Sequence, residues 1–209
     1  MNNNTTDTEQ QILAAAERLF VTQGFRATST TDIAREAGCN QTLVHYYYRT
    51  KENLFQKVFV AKFEQLFSLI RKPLFEDCDF FQKLENIVDV YFCIVQKNKS
   101  VPMFILNELL NNKERMVKAR DSLRSNYFRE EVYAKYSESV YEARKKKMIR
   151  DVEPIDLLFD IVSLVVMSVM VAPVYSDYFS KGKTGEKEFI ERRKAEVKHL
   201  LLEGLKAEK

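Results

Sequence analysis

The stretch TTDIAREAGCNQTLVHYYY, residues 30–48, decides the fold, because its side chains are constrained by geometry rather than by composition. Two short helices that cross steeply need a small residue where their backbones approach, and Ala34 supplies it. They also need a residue that tolerates positive φ at the turn, and Gly38 follows four positions later. Apolar side chains must then meet across the crossing: Ile33, Ala37 and Cys39 stand on one side, Val44, Tyr47 and Tyr48 on the other. Ser29 with Asp32 marks the start of the first helix and Asn40 caps the second. This is the spacing of a helix-turn-helix.

The second helix of the pair has a polar side. Gln41, Thr42, His45 and Tyr46 lie opposite the apolar contacts and suit the major groove of DNA. Glutamine can read adenine, Thr42 and Leu43 can touch a thymine methyl, and tyrosine or histidine can bond phosphate oxygens. One helix cannot bury every side of a histidine followed by three tyrosines, so some of these rings must face out. The competing reading is a helical enzyme or scaffold in which this segment is only bundle core.

Outward from the motif the chain reads as helix in both directions. Upstream, Thr8 with Gln11 forms a capping-box pattern, and Ile12, Ala15, Ala16, Leu19 and Phe20 recur at helical spacing as far as Gly24. Downstream, Leu54, Phe55, Val58, Phe59, Phe63, Leu66, Phe67 and Ile70 form a wide apolar stripe that Pro73 ends. Further helices are predicted over 79–98, 102–111, 113–147, 154–172 and 187–206. Forty-five per cent hydrophobic residues with five glycines and four prolines leave too few breaks for a β-rich chain. The expected fold is all-α: a three-helix DNA-binding domain over residues 1–53, then a helical bundle over residues 54–209 for ligand binding and dimerisation.

The first part resembles the TetR family of bacterial transcriptional regulators. The resemblance is carried by Leu19-Phe20, Gly24-Phe25, Thr28 to Thr31, Ile33-Ala34, Ala37-Gly38, Val44-His45-Tyr46-Tyr47-Tyr48 and Lys51-Glu52-Asn53-Leu54, and covers residues 9–55. It implies a cytoplasmic, ligand-responsive repressor that binds near-palindromic operator DNA as a homodimer. It also implies phosphate clamps at Thr30, Thr31, Tyr46, Tyr47 and Lys51, and dimerisation through the final helices. Two positions depart from the family pattern: His45 stands where tyrosine is usual, and Gln41 where lysine is common.

Charge does not announce nucleic acid. The chain carries a net charge of +3, yet residues 1–53 hold five basic side chains (Arg18, Arg26, Arg35, Arg49, Lys51) against six acidic ones (Asp7, Glu9, Glu17, Asp32, Glu36, Glu52). Three cysteines without CxxC spacing and two distant histidines argue against a zinc site or a disulfide framework, and thiols suit a reducing compartment. No cofactor and no catalytic constellation is indicated. Gly182-Lys183-Thr184 lacks the glycine five residues earlier that a phosphate loop needs, since Asp177 stands there. The run Arg144 to Lys147 reads as cations opposing a helix dipole. The apolar stretch from Ile161 to Tyr175, interrupted by Ser163, Ser168 and Pro173, reads as a buried helix too short for a membrane span.

Two expectations attach to the second part. Five of the 25 Phe and Tyr residues lie in residues 1–53, so most fall in the bundle, where an apolar pocket with polar tips would hold an effector. Phe63, Phe67, Tyr91, Phe104, Tyr127 and Met167 are the candidate lining residues. The helix from Ile155 to Ala172 is apolar almost all round, and a second copy would cover the side its own chain does not.

Overall fold

A computed structural model describes residues 3–68, 70–115, 117, 127–178 and 185–206. The described residues are helical with no strand; one isolated bridge joins Ile149 to Lys206. The helices are α1 (Asn3–Ala27), α2 (Thr30–Glu36), α3 (Gln41–Tyr48), α4 (Lys51–Ser68), α5 (Arg71–Phe75), α6 (Phe80–Lys97), α7 (Ser100–Asn111), α8 (Tyr127–Lys145), α9 (Pro154–Tyr178) and α10 (Glu186–Leu205). The Gly182-Lys183-Thr184 loop lies outside the described residues.

The chain divides into two compact units. The first comprises residues 1–65 and 100–126, the second residues 66–99 and 127–209. The division after Gln65 falls inside α4, and α7 joins the first unit from a distance in sequence. Only long-range packing decides this. In the first unit, Phe55 stands edge-on to Phe20, Phe25 and Phe104 at ring distances of 5.1, 5.1 and 5.5 Å. Phe20, Phe55 and Phe59 are fully buried, and each such ring contributes on the order of 1.5–3 kcal/mol.

The second unit is a bundle in which α9 packs on α10, α6 and α8. Its core takes Ile87, Val88 and Phe92 from α6, Val132 and Tyr136 from α8, Leu157, Ile161 and Val165 from α9, and Val197 from α10. Ion pairs tie the surface: Lys198 to Asp89 at 2.7 Å, Lys99 to Glu186 at 2.5 Å and Arg71 to Glu131 at 2.9 Å. At the end of α10, Arg150 donates its backbone N–H to the Leu205 carbonyl (2.8 Å) and Nε–H to that of Gly204 (2.7 Å). Two carbonyls that a helix end leaves unpaired are thereby satisfied.

Three sequence expectations need correction. Thr8 does not cap α1: the helix already runs from Asn3, since no glycine or proline breaks it, and Gln11 donates instead to Asp7 (3.3 Å). α9 continues through Pro173 to Tyr178, giving up one ladder bond near its end. Its stretch Pro154–Tyr175, 22 residues whose most apolar 18-residue window has a mean hydropathy of 2.4, is long and apolar enough to cross a membrane by length and composition, contrary to the shorter reading. In the second unit it is a core helix along one side, with 44% of its most apolar window buried.

Candidate nucleic-acid interface

The turn between α1 and α2 is set by Gly24, whose φ of 80° breaks the first helix. Its carbonyl accepts from Thr28 Oγ1 at 2.9 Å. Ser29 then caps α2 in a full capping box. Its hydroxyl accepts from the Asp32 N–H (3.0 Å), and the Asp32 carboxylate accepts from the Ser29 N–H (3.2 Å). The Ser29 hydroxyl donates to the Asp32 carboxylate at 2.5 Å, and this bond, with the one from the Ser29 N–H and Arg35 alongside, holds the Asp32 carboxyl below its ordinary range. Gly38 makes the turn at φ 66°, and Asn40 Oδ1 accepts from the Leu43 N–H at 3.0 Å to start α3.

Two sides of α3 have opposite fates. Val44 and Tyr48 are buried, and Tyr48 donates its hydroxyl to the Glu9 carbonyl of α1 (3.2 Å). Burial pushes the Tyr48 phenol up to about 12. Gln41, Thr42, His45 and Tyr46 are exposed, Tyr46 to 73%. Leu43 and Tyr47 are half-buried, and the Tyr46 and Tyr47 rings stand edge to face at 5.2 Å. Thr31 is exposed and Thr30 half-buried.

The exposed groups are joined. Gln41 Nε2 donates to Thr30 Oγ1 at 2.8 Å and lies 3.4 Å from His45 Nε2. His45 Nδ1 lies 3.2 Å from the Arg49 carbonyl, so a proton on Nδ1 leaves Nε2 as an acceptor for the second amide N–H of Gln41. Both donors of Gln41 are then engaged, which leaves its carbonyl oxygen as the remaining hydrogen-bonding atom of the amide. Arg49, which closes α3 with an uncommon positive φ of 61°, is an exposed cation beside this surface that the sequence reading passed over. An unusual φ leaves no trace in composition.

Lys51 sits differently from the other expected clamps. Its ammonium donates to the Phe25 carbonyl (3.0 Å) and the Thr28 carbonyl (2.9 Å), and rests 4.1 Å from the Phe25 ring centre. Two of its three N–H bonds fasten the α1–α2 turn to α4. Over the same ring also lies Arg115, whose guanidinium is 3.9 Å from the Phe25 centroid and whose Nε–H donates to the buried carboxylate of Glu108 on α7 (3.1 Å).

The described effector-lining candidates are divided between the two units. Phe104 belongs to the first unit's aromatic cluster, and Phe63 stacks on Phe59 at 6.3 Å. Tyr91 is buried in the second unit, and burial raises its phenol. Met167 is 56% exposed on α9. The side chains of Phe67 and Tyr127 lie outside the described residues.

Two short capped helices joined by a turn at Gly38, the second burying one side against its neighbour, have the geometry of a helix-turn-helix. Residues 12–58 match the family described as "Bacterial regulatory proteins, tetR family". Curated relatives include the transcriptional activator FasR of Mycolicibacterium smegmatis, 28% identical over 86 residues (41% of this chain, 39% of that protein). Another is the regulator QacR of Staphylococcus aureus, 34% identical over 50 residues (24% and 27%). The matched region thus spans about half or less of these proteins' length.

The likeness of fold extends further. A TetR family transcription regulator from Marinobacter aquaeolei superposes with a TM-score of 0.71 over all of both chains, at 17% identity. FadR of Bacillus subtilis, solved in complex with stearoyl-CoA, superposes with a TM-score of 0.67 over 94% of this chain and 98% of that one, at 16% identity.

Proposed function

We propose that the chain is a homodimeric, ligand-responsive transcriptional regulator that reads a near-palindromic operator through α3 and is released when a small, largely apolar effector occupies the second unit. The observation that carries the DNA-reading part is the split of α3 between buried Val44 and Tyr48 and exposed Gln41, Thr42, His45 and Tyr46. A helix serving only as bundle core would bury its aromatic rings, whereas Tyr46 is 73% exposed and Tyr47 only half-buried. With its carbonyl presented, Gln41 offers an acceptor to an exocyclic amino group, that of adenine or cytosine. Thr31, Tyr46, Tyr47 and Arg49 are placed to meet phosphates, with Thr30 holding Gln41; Lys51 serves first as a tie.

For the effector, the support is the acyl-CoA bound by the similarly folded FadR and one feature of this chain. Tyr136 Oη and Ser137 Oγ are buried in the second unit without a hydrogen-bond partner among the described residues. An amphipathic molecule with a carbonyl or carboxyl group would supply the missing acceptor. The FasR relative is an activator, so the sign of regulation belongs to the test. The protein works where the chromosome is, in the cytoplasm.

Fluorescence anisotropy on the DNA upstream of the gene tests the reading. Gln41→Ala and Tyr46→Ala are each expected to cut specific affinity by ~1–3 kcal/mol with unchanged helicity. Wild-type affinity in both folded variants would remove α3 from recognition.

A further inference from the structure

Gln41 and His45 stand one turn apart on the exposed face of α3, and their contact joins two nitrogens, Gln41 Nε2 and His45 Nε2 at 3.4 Å. An amide nitrogen only donates, so the neutral imidazole accepts at Nε2 and carries its proton on Nδ1, 3.2 Å from the Arg49 carbonyl. The other partner of the amide, Thr30 Oγ1 at 2.8 Å, is a hydroxyl that accepts or donates as it turns. Of the two neighbours that orient Gln41, His45 is therefore the one whose polarity is fixed by its protonation state.

A second proton on His45 reverses that polarity. Both ring nitrogens are then donors. Nδ1 keeps the Arg49 carbonyl, so the end of α3 is undisturbed, but Nε2 now meets the Gln41 amide donor to donor. Turning the amide over brings its oxygen to His45 and to the Thr30 hydroxyl, which donates instead, and frees the N–H groups. On the segment of His45 itself the titratable and charged groups are Tyr46, Tyr47 and Arg49. On α2, the helix packed against α3, they are Asp32, Arg35 and Glu36; the first two pair with each other and Glu36 pairs with Arg18.

Base pairs tell the two orientations apart. In the major groove every pair offers one amino group, on adenine or cytosine, and one keto oxygen, on thymine or guanine. A free Gln41 oxygen takes the amino group; a free Gln41 N–H takes the keto oxygen. We propose that His45 is a specificity-determining residue that acts through Gln41: neutral, it selects an amino group at one operator position, and protonated, it selects the keto oxygen. A tyrosine in its place, with a hydroxyl that both donates and accepts, would not hold either orientation. The proposal rests on the reading of α3 as the recognition helix and adds what sets the polarity of its first side chain.

The test uses the full-length protein in fluorescence anisotropy against the operator and copies with one base pair at a time inverted, which exchanges amino for keto and keeps every phosphate. The pair at which wild type discriminates and Gln41→Ala does not is the pair that Gln41 touches. There the wild type is expected to favour the amino orientation about tenfold at about pH 8, and to lose or reverse that preference at about pH 5.5, the range over which imidazole gains its proton. An added charge strengthens both complexes alike and cancels in the ratio. His45→Leu removes both ring nitrogens and is expected to make the ratio independent of pH, whereas His45→Arg, a permanent donor, is expected to hold the keto preference throughout. Imidazole nitrogen chemical shifts of the wild type need no variant, and are expected to show Nδ1 protonated and Nε2 bare in the neutral form. A ratio at the Gln41 pair that is the same at both pH values, or a neutral ring protonated on Nε2, overturns the control by His45 and leaves α3 as the reader. If Gln41→Ala discriminates at every pair as wild type does, Gln41 reads no base and its place in recognition falls together with the proposal.

Discussion

Lys51 shows how one side chain can be recruited away from the role its type suggests. Its ammonium holds the carbonyls of Phe25 and Thr28, and without it both lose their donor at a half-buried turn. Lys51→Met keeps the stem and is expected to lower stability by ~1–3 kcal/mol in urea unfolding, whether or not DNA is present. A loss of operator affinity alone, with stability unchanged, would make Lys51 a phosphate contact after all. Asp32 gives a pH dependence of known sign. Because its carboxyl is held below the ordinary carboxylate range, its contribution to the start of α2 is present above that range and disappears as pH falls through the folded value. Acid titration of Asp32→Asn against wild type, followed by amide exchange of Asp32 and Ile33, is expected to show the difference between them vanish at low pH.

At the scale of helices, local signals were legible and distant ones were not. The caps at Ser29 and Asn40 and the turn at Gly38 use side chains within three or four residues of the groups they serve, so their pattern stands in the sequence. The exposed face of α3 follows from the same spacing. Thr8 misled because a capping pair marks a start only where something breaks the helix before it. The place of Phe104 in the first unit was not legible, because an aromatic packed on its own bundle and one packed on residues far away in sequence look alike until α7 meets Phe55 and Phe59. Phe55 is the hub of that cluster, so Phe55→Ala is expected to cost ~3–5 kcal/mol and to abolish DNA binding through unfolding of the first unit. Tyr136→Phe is expected to do the opposite in the second unit. It removes a hydroxyl that lacks a partner, and should raise the thermal midpoint while lowering affinity for a carbonyl-bearing effector.

At the scale of the molecule, the proposed operator and effector sites would be bound by linkage. An effector that weakens DNA binding by some factor must itself be bound more weakly to the protein–DNA complex by that factor, and titration of a stabilising fatty acyl compound in both orders checks it. Stabilisation without any change in operator affinity would leave the DNA-binding assignment and remove induction. The division of the chain carries its own consequence for inheritance. The unit holding α1 to α3 is completed by α7 and by Arg115, encoded some 35 residues beyond the point where α4 leaves it. It is therefore not a cassette. A gene fusion or recombination event that exchanged only the first 65 codons would pair Phe25 and Phe55 with a foreign α7, and the joint would have to be repaired at Phe104, Glu108 and Arg115 before the hybrid could fold. Reshuffling of specificity in this lineage is then expected to proceed by point change along the outer face of α3, where Gln41, Thr42, His45 and Tyr46 can vary without asking anything of the packing beneath them.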